Sequence, residues 1–306
     1  MTSQTPSPAL DRFIKDTLGL TKLPAHLPIF TLSFLGFLFV HQIAAPWASR
    51  RWFPVAYGGG TKRARNAWSI HVVSQIHALL IVPLALYVRA HESAARREDR
   101  AFGWDGRVGM LHAIACGYFL WDTLDAIVNF TDLGFVAHGI ACLAIYVMSY
   151  KPFVAYYGTR CLLWESSTFF LNIHWFLDKT GRTGSRAQFI NGILLLSAFF
   201  SVRLVYGGKV SYEFMKTLAQ VRNEIPFSYV VTYMAGNVVL QGLNWFWFYK
   251  MISSLRRRFR GPGERDKLIN GGARAEGDTE HGNGNGSGAE GGIATGVATG
   301  YGTHAN

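Results

Sequence analysis

The chain has 306 residues, of which 49% are hydrophobic and only 16% charged, with a formal net charge of +11. Collected into long apolar runs, this composition excludes a water-soluble globule and indicates a polytopic membrane protein. The cations Arg50, Arg51, Lys62, Arg63 and Arg65, and the group Arg256, Arg257, Arg258 and Arg260, stand beside apolar runs; that placement suits anionic headgroups, and no soluble module is left over to bind nucleic acid.

Residues 1–26 are polar to mildly amphipathic, and Leu10, Phe13, Ile14 and Leu18 can share one face of a short helix lying on the membrane surface. No basic stretch followed by an apolar core opens the chain, so insertion is expected to rely on the first span. That span is predicted at 27–45, and with the basic loop after it forms a unit of residues 27–64. The Gly58-Gly59-Gly60 run in the loop reads as a flexible connection.

The second span is predicted at 68–88. His71, Ser74 and Gln75 fall on one helical face, with His77 at its edge, and such a face points into a bundle. Interhelical hydrogen bonding accounts for such a face at least as well as ligand binding does. Pro83 is expected to kink this helix.

After a charged loop, His91 to Arg107, the third span is predicted at 108–130. The turn from Thr131 to Gly134 is so short that the third and fourth spans must be antiparallel neighbours. Asp125 and His138 then sit at similar height, with Asp122 about 4.5 Å deeper than Asp125 on nearly the same face. A carboxylate beside an imidazole orients it and stabilises its cation, as general-base catalysis requires. Asp122, Asp125 and His138 are therefore the candidate catalytic residues, against the alternative of a structural hydrogen bond near the interface.

The fifth span, 152–177, places Glu165, Thr168 and Asn172 on one face with Trp175 beyond them, and its first third is expected to be irregular or re-entrant. The sixth, 187–206, carries Arg203 near its end, where it can snorkel to the interface or neutralise a buried acid. The seventh, 226–250, ends in Asn244-Trp245-Phe246-Trp247-Phe248-Tyr249, which reads as an interfacial aromatic belt. The arginines after it predict a cytosolic C-terminus. Residues 261–306 are Gly-rich and are expected to be a disordered tail. Cys116, Cys142 and Cys161 lie in apolar runs at no ligand spacing, so no metal is expected. The predicted fold class is thus all-α: a membrane bundle of about seven transmembrane helices with a disordered tail.

The series Trp68…His71…Ser74…His77, Tyr118-Phe119…Asp122, His138, Glu165-Ser166-Ser167…Asn172…Trp175-Phe176 and Phe199-Phe200…Arg203 resembles the TLC-domain family. Among its members the chain looks most like the small transmembrane TLC proteins, and the resemblance spans residues 65–255. It implies a lipid-handling protein of the endoplasmic reticulum or another secretory membrane. The inward polar faces together make His71, Ser74, His77, Glu165, Asn172, Trp175 and Arg203 candidate lipid- or substrate-binding residues, Glu165 because an ionisable group in an apolar span faces a bundle interior or a polar cavity. Ceramide synthases of this family carry a histidine pair and a soluble insert. Here Ala137 precedes His138 and the insert is absent. The expectation is a protein of lipid homeostasis that binds membrane lipids and needs no cofactor. Its alternatives are an acyltransferase that takes acyl-CoA as co-substrate and uses His138, and a secretory-pathway chaperone or cargo receptor.

Overall fold

The computed structural model describes residues 8–259, so the predicted tail, 261–306, lies outside the described residues. Seven helical stretches occupy the predicted spans: α1 (Pro24–Trp52), α2 (Lys62–Ala90), α3 (Gly106–Val128), α4 (Leu133–Met148), α5 (Glu165–Lys179), α6 (Arg186–Gln220) and α7 (Phe227–Phe259). Four of them, α1, α2, α3 and α6, are long and apolar enough to cross a membrane on their own composition. Helices suit hydrocarbon because every backbone N–H and C=O is satisfied within the segment. Side chains such as Leu32, Phe39, Leu79 and Ile193 point outward from the bundle, as a lipid-facing surface requires.

Helix neighbours close into a ring in the order α2–α3–α4–α7–α6–α5 and back to α2, with α1 packed outside against α2 and α3. The α3–α4 hairpin is antiparallel, as its short turn demands. Close packing depends on small residues. A Cβ on Gly117 of α3 would come within 2.6 to 2.9 Å of Ser33, Phe34 and Phe30 on α1, and one on Gly139 of α4 would come within 2.6 Å of the Thr123 hydroxyl. α2 continues without a break through Pro83.

Two elements, the sixth span and the N-terminal segment, depart from expectation, whereas the first third of the fifth stretch is irregular as expected. The predicted sixth span stops at Tyr206 before Gly207-Gly208, yet α6 runs on to Gln220. Gly207 serves contact rather than termination, because a Cβ there would meet the Trp164 indole at about 3.0 Å. The fifth stretch is divided into a helix at Ala155–Cys161, a 3-10 turn at Leu162–Trp164 and then α5, and Val154 begins it in the left-handed region at φ 50°. That conformation is costly for a β-branched residue, and Val154 is held by burial and by its N–H to the Ala101 carbonyl, 2.6 Å. At the N-terminus, Ile14 is buried while Leu10, Phe13 and Leu18 are exposed, so the expected apolar face is divided between the bundle and its surroundings.

Candidate functional site

The centre of the ring is polar, and each of its six helices contributes to it. Arg203 comes from a π-helical segment of α6, Phe199–Tyr206, whose wider turn is a frequent feature of functional sites. Its guanidinium is buried and donates to Ser167 Oγ (2.8 Å) and Thr168 Oγ1 (3.1 Å) on α5 and to Asn244 Oδ1 (3.2 Å) on α7. It also pairs with the Glu165 carboxylate at 3.6 Å. A buried cation with this many acceptors is held by its fold. Arg203 does not snorkel: the helix continues beyond it, and it neutralises Glu165. Asn244 was read as part of an aromatic belt. Instead Leu240, Asn244, Trp247 and Met251 face inward at helical spacing, while Trp245, Phe246 and Tyr249 face outward.

The predicted faces of α2 and α5 meet. Asn172 donates to Ser74 at 3.2 Å, and His71 stacks on Trp175 with ring centroids 3.8 Å apart. His71 Nδ1 also bonds the Ala67 carbonyl at 2.8 Å. His77 lies flat on Tyr118 of α3, with centroids 3.6 Å apart, and the edge of Phe37 from α1 closes it in. Both of its ring nitrogens lack a hydrogen-bond partner among the described residues.

On α3, Asp122 lies within electrostatic reach of Asp125, and also of Glu165 and Tyr118, so it stands between Asp125 and the central group. Asp125 has other partners. It accepts from Asn129 at 2.9 Å and from Asn66 at 3.5 Å, and His41 lies 4.0 Å away. The expected pairing of Asp125 with His138 fails because the two use different faces of the hairpin. Asp125 continues the stripe of Tyr118 and Trp121 toward α1 and α2, whereas Phe119 and Thr123 face α4. His138 instead packs against Phe119 and Trp247, with the Cys142 sulfur 3.7 Å from Nε2 and 4.0 Å from Nδ1. Near-equal distances leave that sulfur in line with neither nitrogen, which is poor geometry for proton transfer. His138 is only partly covered, and it lies within electrostatic reach of Arg203.

Among the buried side-chain atoms without a protein partner in the described residues are Asn172 Oδ1, Gln75 Oε1 and Asn244 Nδ2. Buried polar atoms are nearly always satisfied, so these two acceptors and one donor mark where a further polar group fits. Asn244 went unnoticed because an aromatic run surrounds it. His41, Asn66, Arg96 and His112 were also missed; each is one polar residue in an apolar or loop context, where sequence spacing gives no signal. Among the described residues no group of three or more His, Cys, Asp or Glu side chains could hold a metal ion.

Comparison with known proteins gives a consistent result. The TLC domain profile matches residues 67–253, most of the ring. An uncharacterized TLC domain-containing protein of Schizosaccharomyces pombe is 39% identical over 258 residues, 83% of this chain and 88% of the relative. Topoisomerase I damage affected protein 4 of Saccharomyces cerevisiae is 28% identical over 257 residues, 80% of this chain and 89% of the relative. TLC domain-containing protein 4 of Homo sapiens is 29% identical over 230 residues, 72% of this chain and 85% of the relative. No solved structure matches the chain.

Proposed function

The chain belongs to the TLC-domain family, and on that premise we propose that it is an integral membrane protein of lipid homeostasis that binds the polar head of a membrane lipid at the centre of its helical ring. The observation that carries this reading is the set of unsatisfied buried atoms: Asn244 Nδ2, on the side chain that accepts from Arg203, Asn172 Oδ1, on the side chain bonded to Ser74, and Gln75 Oε1 next to Ser74 in the chain. Two acceptors and a donor suit a head that carries hydroxyl or amide groups. Arg203 is already neutralised by Glu165, and Asp122 adds a second carboxyl, so the centre favours a neutral or cationic head over an anionic one. Asp122, His138, Glu165, Asn172 and Arg203 form the lipid site in this reading. Ser74 and Trp175 set the register of α2 against α5, His71 joins Trp175 in that role, and His77 packs α2 on α3.

The membrane is one of the secretory pathway, with the C-terminus cytosolic. Arg50, Arg51, Lys62, Arg63 and Arg65 lie at the same end of the bundle as the last turns of α7, and this cluster supports that orientation by the positive-inside rule. Acyl transfer from acyl-CoA is a second reading, favoured by the partial accessibility of His138 beside the polar centre. It would have to work without the carboxylate expected to orient the imidazole.

The test is mass spectrometry of the lipids that copurify with the full-length protein, set against the host membrane. Enrichment of one hydroxyl- or amide-bearing class, reduced in Asn172→Leu, is expected; a composition equal to that of the host overturns the reading. Lipidomics of cells lacking the protein, rescued by wild type or by His138→Ala at equal level, separates the two readings. Accumulation of an unacylated precursor with loss of its acylated product, reversed by wild type but not by His138→Ala, supports catalysis at His138; loss of rescue without precursor accumulation supports binding alone.

A further inference from the structure

A pocket lies where α1 and α3 end and α2 begins, on one side of the bundle. It has a volume of about 690 Å³. Its polar floor is made by His41 and Asn66, bonded to each other at 3.0 Å, and Asn66 also reaches Asp125. His41 is presented by a π-helical segment of α1, Val40–Ala44. Its wall carries Lys62, Arg63 and Arg65 from the first turn of α2. None of these three cations forms an ion pair among the described residues. Three positive charges on a helix N-terminus work against the helix dipole, so their clustering there is not explained by helix stability. The apolar rim includes Phe130, which is exposed at the end of the α3 span.

We propose that this pocket binds the phosphate-bearing head of an anionic phospholipid, with Lys62, Arg63 and Arg65 as the phosphate contacts and the acyl chains leaving past Phe130 into the bilayer. The shared chemistry is a phosphate ester. The lipid is favoured over a soluble phosphate because the pocket lies at span ends and has an apolar side as well as a basic one. Basic pockets between transmembrane helices bind such heads. Asp125 does not defeat the site, because it is engaged by Asn66 and Asn129, and three cations outnumber it. This inference is independent of the lipid proposed for the ring centre, where the charge balance points the other way.

The experiment is native mass spectrometry of the full-length protein in neutral detergent, with phosphatidic acid and phosphatidylcholine of matched chains as probes. Wild type is expected to retain one phosphatidic acid with at least about tenfold preference, weakening as salt rises. The triple variant Lys62→Gln/Arg63→Gln/Arg65→Gln is expected to lose about 100-fold in affinity, at roughly fivefold per cation. Arg50→Gln/Arg51→Gln, at the same end but outside the pocket lining, should change binding by less than about twofold. Equal loss in the two variants would mean diffuse surface attraction and overturn the site, as would equal retention of phosphatidylcholine. Displacement by inorganic phosphate at the lipid's own concentration would overturn the lipid assignment. The three residues line the surface of the pocket, so an unchanged melting temperature in the triple variant separates lost binding from lost fold.

Discussion

The two ends of the bundle treat their arginines and lysines in opposite ways. At the end where α2 gives way to α3, Arg96 is fully buried, pairs with Glu92 and Asp105 at 3.3 Å each and donates to the Val88 carbonyl at 3.0 Å. Arg160 holds the same Glu92 with both of its terminal nitrogens, at 3.1 and 3.0 Å, and stacks on Tyr156. Two guanidinium groups and two carboxylates thus close on one another. At the opposite end Lys62, Arg63 and Arg65 surround a pocket and meet no carboxylate among the described residues. Charges that hold a fold together are matched within it, because an unmatched buried ion costs several kcal/mol. Charges left unmatched around a pocket are available to a ligand. The ring centre resembles the first end in its paired Arg203 and the second in its unsatisfied amides.

This contrast can be broken by substitution. The largest effect is expected for Arg96→Gln, which strands Asp105 and leaves Glu92 to Arg160 alone: a loss of about 3–5 kcal/mol, seen as a lowered thermal midpoint of the detergent-solubilised protein. Arg203→Met should cost a similar amount by exposing Glu165 to an uncompensated interior, and Glu165→Gln/Arg203→Met should recover part of it. Gly117→Ala comes next. A methyl group there drives α1 from α3, at about 1–3 kcal/mol in the same assay.

Asp105→Asn tests the closed end by pH. Burial works against the Asp105 carboxylate, but the Val108 N–H that it caps and the Arg96 charge outweigh it, and its pKa is held below the usual 3.8. A lowered folded value means that its stabilisation is complete above the unfolded value and is lost as pH falls through the folded one. Asp105→Asn should therefore cost about 1–2 kcal/mol at neutral pH. That difference should shrink in acid below the usual carboxylate range. A gap that does not change with pH would show that the ion pair contributes nothing there. The smallest effect is expected at the open end: Lys62→Gln/Arg63→Gln/Arg65→Gln should change stability by less than about 0.5 kcal/mol while altering lipid retention. A large loss of stability in that variant would erase the distinction between the two ends.

The polar residues form a ladder between the pocket and the ring centre: Asn66 reaches Asp125, Asp122 lies one turn deeper, and Asp122 is in electrostatic reach of Glu165.

The sequence alone determined the all-helical membrane architecture and the approximate places of its seven helical stretches, four of them long and apolar enough to span, because hydrocarbon imposes long apolar runs that composition reveals directly. It also determined the facing stripes on α2 and α5, since His71 and Ser74, and Glu165, Thr168, Asn172 and Trp175, repeat at helical spacing and then meet across the ring. Which carboxylate meets which cation was decided only by tertiary structure. Asp125 and His138 have matching depth, and depth follows from hairpin length, but the rotation of each helix about its own axis depends on all of its neighbours. That rotation sent Asp125 to His41 and Asn66, and His138 to Trp247. Arg203 shows the same division. Its position in the chain fits an interface, and only the continuation of α6 through Gly207 and the approach of Ser167, Thr168 and Asn244 place it at the centre.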